Sequence, residues 1–216
     1  MTPRVVAIDG AAGSGKSTLA RRLAVLLALP YVNTGSMYRA LTLQARRHGV
    51  SLDDGSALAE LMDTLDFSLS SASPRELWID GTAPSPDLES ADIEAHVSVV
   101  AEHPQVRAKM QAAQRGLGED GAVMEGRDIG TVVFPDAPVK IFLDADAHER
   151  AGRRELEREE VGTAGALHER DRRDAKVNPF VPASDAVVID TSELGIDETV
   201  RAATDVVAER APELLP

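Results

Sequence analysis

Apolar residues run without a break in two stretches of this chain, Val5-Val6-Ala7-Ile8 and Val139-Lys140-Ile141-Phe142-Leu143, the second interrupted only by a lysine. Unbroken apolar runs of this length predict strands buried on both faces, as in a parallel sheet. Shorter runs at Tyr31-Val32-Asn33, Ala122-Val123-Met124-Glu125 and Ala186-Val187-Val188-Ile189 predict three more core strands. Between them the period changes to helical spacing. Helices are predicted over Thr18–Leu29, Met37–His48, from Asp53-Asp54 to about Leu65, over Asp92–Ala101 and Pro104–Leu117, and over Ile196–Arg210. The turn and cap before the second of these are assigned to Thr34-Gly35-Ser36. Asp144 or Asp146 is expected to cap a charged helix reaching about Glu160, with a break at Gly162–Gly165 and another helix to about Asp174. Phe67-Ser68-Leu69 and Glu76-Leu77-Trp78-Ile79 lie among prolines and a turn at Asp80-Gly81. They predict a small antiparallel sheet inserted into the core.

The alternation implies an α/β fold, a parallel sheet flanked by helices, with ligand groups at the carboxyl ends of the strands. A single domain is expected, its core formed by 1–34, 104–150 and 175–216. The inserted region covers about 35–103, and an arginine-rich lid about 151–174.

The chemistry begins at Gly10-Ala11-Ala12-Gly13-Ser14-Gly15-Lys16-Ser17, which fits G-x-x-x-x-G-K-[ST] between a strand and a helix. Glycines let the backbone approach a ligand and point successive N–H groups at phosphate oxygens. The helix start adds positive potential. Lys16 is expected at the β- and γ-phosphates and the Ser17 hydroxyl on Mg²⁺. A chance glycine-rich turn is the alternative, and the flanking strand and helix weigh against it.

Charge sharpens this reading. The 216 residues carry a net charge of −13, which excludes a general nucleic-acid or membrane-surface binder. A protein for anionic nucleotides must then gather its 23 basic residues locally. They do cluster, at Arg150, Arg153, Arg154 and Arg158, and at Arg170, Arg172, Arg173 and Lys176. Arg150, Arg153 and Arg154 share one helix face at i, i+3 and i+4. They read either as a lid over a triphosphate or as a solvated face paired with neighbouring glutamates. With 3 % aromatic residues, a nucleobase is expected to be read by hydrogen bonds. The absence of cysteine, of a signal pattern and of a membrane-length apolar run points to a cytoplasmic protein.

Two more constellations sit at strand ends. Thr34-Gly35-Ser36-Met37-Tyr38-Arg39 offers hydroxyls at a helix start and an arginine for a phosphate. Glu125-Gly126-Arg127-Asp128-Ile129-Gly130-Thr131 places an arginine and an aspartate between glycines. Arg127 suits a phosphate and Asp128 an exocyclic amine, while an internal ion pair is the structural alternative.

Together these motifs closely resemble the bacterial cytidylate kinases, of the nucleoside monophosphate kinase superfamily. The resemblance covers essentially the whole chain, and the run from Glu125 through Val132-Val133-Phe134-Pro135-Asp136-Ala137 is its most distinctive part. It implies transfer of a phosphoryl group from ATP to CMP or dCMP with Mg²⁺, by a monomer that binds neither nucleic acid nor membrane. It also implies ATP on Gly10 through Thr18 with Arg150 and Arg154, and Mg²⁺ on Ser17. Thr34, Arg39 and Arg127 are implied to hold the CMP phosphate, with Tyr38 on the same substrate. Ser98, Arg107 and Asp128 are implied at the cytosine edge, and Arg170 and Asp174 at ribose and phosphates. Lys16, Arg127, Arg153 and Arg170 are then the catalytic cations. Ala11 stands where the family usually has proline, and Val177 where it often has arginine. Other small P-loop kinases, for uridylate, guanylate or shikimate, and a nucleotide-dependent switch are the competing readings.

Overall fold

A computed structural model of the protein describes residues 4–158 and 181–216, and for 154–158 the backbone only. The expected helix ending near Asp174 lies outside the described residues. So do the second half of the lid, the side chain of Arg154, and Arg170, Lys176 and Val177.

Five parallel strands form the core: β1 (Val5–Gly10), β2 (Tyr31–Asn33), β5 (Ala122–Gly126), β6 (Val139–Asp144) and β7 (Val187–Asp190), in the order β2-β5-β1-β6-β7. β1 is central, and its residues alternate between two cores. Val5 and Ala7 face one hydrophobic cluster, with Val32, Met37, Leu41 and Met124. Val6 and Ile8 face the other, with Leu19, Leu23, Ile141, Leu143 and Val207. A strand covered on both sides has no polar face, which is why its apolar run is unbroken.

Helix α1 (Lys16–Leu27) covers the second face together with α7 (Ile196–Arg210). Burying Leu19, Leu23 and Leu27 stabilises this layer by about 2 kcal/mol each. α2 (Thr34–His48) and α5 (Pro104–Leu117) cover the first face. α3 (Gly55–Met62), the antiparallel pair β3 (Phe67–Leu69) and β4 (Leu77–Ile79), and α4 (Ala91–Glu102) complete the inserted region. Leu58, Met62, Leu77 and Ile79 share a cluster with Val5 and Met124, so this region continues the core of the sheet. It also extends the sheet edge, since the Tyr31 N–H donates to Arg75 O at 2.8 Å.

Several boundaries differ from the hydrophobic pattern for polar reasons. α1 starts at Lys16 because Gly15, at φ 93°, supplies the turn into the helix. α2 starts at Thr34, with Asn33 as the cap: its side chain accepts from Ser36 N at 3.1 Å. Thr34-Gly35-Ser36 is therefore the first helical turn. α3 stops at Met62, short of Leu65. α6 (Ala147–Arg158) is capped by Asp146, which accepts from His148 N at 2.8 Å. Residues Ile129–Val133 form one wide π-helical turn where the sequence suggests only a loop.

Candidate active site

The register of the sheet brings the strand ends into one row. Asn33 lies opposite Glu125, Glu125 opposite Ile8, Gly126 opposite Asp9, and Gly10 opposite Leu143. The glycine-rich loop leaves β1 at Gly10, where φ is 147° and a Cβ would meet Leu143 O at 2.3 Å. At Gly13, φ is 77° and a Cβ would meet Arg150 O at 2.8 Å. Neither position accepts a side chain without displacing backbone, so the loop's tight course depends on both glycines. Lys16, the first residue of α1, folds back over the loop and donates to Ala11 O at 2.6 Å.

This loop faces a cleft of about 360 Å³. Ala12, Gly13, Gly15, Lys16, Ser17 and Thr18 of the loop and the start of α1 line it. So do Asn33, Gly35 and Arg39 at the start of α2, and Glu125, Gly126 and Arg127 at the end of β5. Arg39 is buried and donates to Ser36 Oγ at 3.1 Å. Arg21, Glu89 and Glu94 complete the lining. Four basic side chains thus meet in one polar cleft of an otherwise acidic protein, and a polyanionic ligand fits that arrangement.

Arg107 and Asp128 come together nearby. Arg107 Nη2 donates to Asp128 Oδ2 at 2.8 Å, with the two side chains 22 % and 17 % exposed. The ion pair of Asp128 therefore reaches α5. Tyr38 lies beside it: its phenol pKa is raised, first by burial and then by the Asp128 charge, with Arg107 opposing. Ser98 is buried on α4. Thr34 is buried too, and its hydroxyl donates to Glu125 O at 2.7 Å, joining the start of α2 to the end of β5.

Arg150 and Arg153 are not among the residues lining this cleft. Arg150 Nη1 donates to Ala12 O at 3.1 Å. Arg153 holds Thr191, donating to its Oγ1 at 3.1 Å and to its carbonyl. Thr191 Oγ1 in turn donates to Ser14 O at 3.2 Å. Arg150 thus contacts the loop directly, and Arg153 through Thr191.

Two buried, hydrogen-bonded carboxylates at this end of the sheet are not among the candidate residues of the sequence reading. Glu125 is 4 % exposed and accepts from Ser17 Oγ at 3.0 Å through Oε2 and from the Tyr31 phenol through Oε1. Its position at the strand end next to Gly126 is the signal that points to it. Asp9, the last residue but one of β1, accepts from Ile129 N and Gly130 N, both at 2.7 Å. It clamps the segment carrying Arg127 and Asp128 to the strand that launches the glycine-rich loop. The same segment is held by Arg115, which donates to Val133 O and Val132 O at 2.9 Å each. Lys140, the lone charge in its apolar run, donates to Pro135 O and pairs with Asp185 at 2.8 Å. The buried lysine holds Asp185 below the usual carboxylate range through that hydrogen bond.

Burial pushes the Asp9 carboxyl up to about 6, against the Gly130 and Ile129 N–H groups, while Asp128 raises it further and Lys16 lowers it. The folded chain therefore holds this proton more tightly than the unfolded chain, whose aspartate titrates near ~4. The resulting stability is full below about pH 4 and is lost as pH rises through about 6. The stability difference between wild type and Asp9→Asn should shift against wild type by roughly 2 kcal/mol between pH 4 and 7.5. Urea unfolding of both proteins at the two pH values measures it, and a difference that does not move with pH removes the assignment.

The family model described as cytidylate kinase matches residues 6–209. The chain belongs to the cytidylate kinase family. It is 42 % identical over 206 residues to the cytidylate kinase of Limosilactobacillus fermentum, covering 90 % of this chain and 91 % of that one. The cytidylate kinase of Nocardia farcinica is 42 % identical over 221 residues, covering 97 % and 95 %. Among solved structures, a gluconokinase from Sinorhizobium meliloti 1021 superposes with a TM-score of 0.57 at 14 % identity, covering 99 % and 96 %, a likeness of fold alone. As a cytidylate kinase family member, the chain is an ATP-dependent nucleoside monophosphate kinase.

Proposed function

We propose that this cleft transfers the γ-phosphoryl group of ATP to CMP or dCMP, giving ADP and CDP or dCDP. The observation that supports the reading is that Lys16 and Ser17 line the same cleft as Arg39 and Arg127. A donor phosphate on the loop and an acceptor phosphate on the arginines then face each other for in-line transfer. The Gly10–Thr18 backbone binds and orients the triphosphate. Lys16, Arg39 and Arg127 offset the charge on the moving group. The acceptor is a phosphate oxygen already ionised at neutral pH, so no strong general base is needed. Arg107 and Asp128 face the base, with Tyr38 beside them, and Ser98 is assigned to the same edge through the family resemblance.

The residues fit a magnesium ion. Ser17 and Glu125 offer hard oxygen donors, and such ions are held by one or two carboxylates together with substrate phosphates. When bound, the ion would offset the charge of the phosphates. Ser17 and Glu125 would hold it. Arg150 and Arg153 contribute by bracing the loop, and Arg154, Arg170 and Asp174 belong to the same proposal through the family resemblance. The cysteine-free, acidic composition supports a monomeric cytoplasmic enzyme. Among the described residues, no helix is long and apolar enough to cross a membrane.

ADP formation from MgATP against a panel of CMP, dCMP, UMP, GMP, AMP and shikimate tests the reading. Turnover with CMP and dCMP at least about tenfold above the others is expected, from the one charge-assisted contact that separates cytosine from uracil. Turnover favouring UMP, GMP, AMP or shikimate, or none at all, overturns it.

A further inference from the structure

Tyr31 opens β2 at the edge of the sheet, buried to 4 % exposure, away from the phosphate loop in sequence. Its phenol nevertheless donates to Glu125 Oε1, while Glu125 Oε2 accepts the Ser17 hydroxyl at 3.0 Å. Each oxygen of this buried carboxylate therefore has one donor. The terminal torsion of a glutamate is broad, so one donor alone leaves the carboxylate free to turn. Two donors on its two oxygens fix the plane. A serine hydroxyl that donates to a fixed acceptor presents its lone pairs away from it, and Ser17 lines the cleft. The ring is itself held. The Arg21 guanidinium stands over it, 5.2 Å from the centroid. The Tyr31 backbone N–H is bonded to Arg75 O of the inserted region at 2.8 Å.

We propose that Tyr31 is a positioning residue for the divalent cation of the bound nucleotide. Through Glu125 it sets the Ser17 hydroxyl so that the serine oxygen faces the cation. This rests on the reading that Ser17 and Glu125 hold that ion. The Arg75 contact adds that the inserted region, by holding Tyr31, bears on the cation site.

Tyr31→Phe removes only the phenol oxygen and keeps the ring under Arg21. The probe is Mn²⁺, which takes the same oxygen donors and whose free fraction is read by electron paramagnetic resonance. With saturating ADP, Mn²⁺ affinity should fall about tenfold, the usual scale for losing an outer partner of a metal ligand. ADP affinity in EDTA and the circular dichroism spectrum should stay unchanged, which a general loss of structure would not allow. Unchanged Mn²⁺ affinity overturns the proposal. In a Glu125→Gln background, Tyr31→Phe should add no further loss, and an equal further loss overturns it as well, because the phenol would then act by another route. CMP phosphorylation by the wild type is read separately. Its failure would sink the proposed reaction while the Mn²⁺ comparison still stands or falls on Tyr31.

Discussion

Lys16→Ala should lower kcat by about 10³-fold while leaving the fold intact, the upper scale for removing one preorganised charge from a transition state. The lysine occupies the first position of α1. Its ammonium bonds Ala11 O, within its own loop, at 2.6 Å. A neutral carbonyl is a weaker partner than a phosphate oxygen, so the ammonium is poised to leave it for a charged ligand. The backbone cradle survives the substitution, because it depends on Gly10 and Gly13 and not on the side chain. ATP affinity should accordingly change far less than kcat. Steady-state kcat and KM for ATP, with a urea midpoint for stability, separate these effects. A kcat within about tenfold of wild type would show that Lys16 stabilises the moving phosphoryl group little. A collapsed urea midpoint would make it a structural residue instead.

What could be read in the sequence follows from what the residues do locally. The unbroken run at Val5–Ile8 announces a strand buried on both faces, because both of its neighbouring layers are apolar. The phosphate loop is legible for a similar reason. Its chemistry comes from the backbone, and glycines are the only residues that allow it. The Arg107–Asp128 pair was reachable only through family resemblance, since 21 residues and a helix-to-strand connection separate its members. Glu125 and Asp9 were missed because their meaning is tertiary. Each is an ordinary carboxylate at a strand end until the sheet register sets it beside Ser17 or beside the Ile129 and Gly130 N–H groups. The shared helix face of Arg150 and Arg153 is legible in the sequence, whereas their contacts with Ala12 O and Thr191 are tertiary.

Asp128→Asn should reduce the preference for CMP over UMP by roughly 10- to 100-fold, the equivalent of one charge-assisted hydrogen bond of ~1.5–3 kcal/mol. Arg107 offers donors only and ionised Asp128 acceptors only, held together at 2.8 Å in a mostly buried setting. The cytosine edge is the complement of that pair: its N4 amine donates to a carboxylate, and its N3 and O2 accept from a guanidinium. Uracil reverses the first two, setting O4 against the carboxylate and N3–H against the guanidinium. Removing Asp128 altogether, as alanine, would strip a largely buried guanidinium of its partner and mix selectivity with local collapse. Asparagine avoids this. Its carbonyl oxygen still accepts from Arg107, while its amide can donate to uracil O4. The CMP value of kcat/KM should therefore fall and the UMP value rise, with the Arg107 contact preserved. The ratio of the two values in wild type and variant measures the effect, with urea unfolding to check stability. A ratio within about threefold of wild type, less than the ~1 kcal/mol of even an ordinary hydrogen bond, would assign the Arg107–Asp128 pair to holding α5 against β5. Cytosine recognition would then rest on other groups.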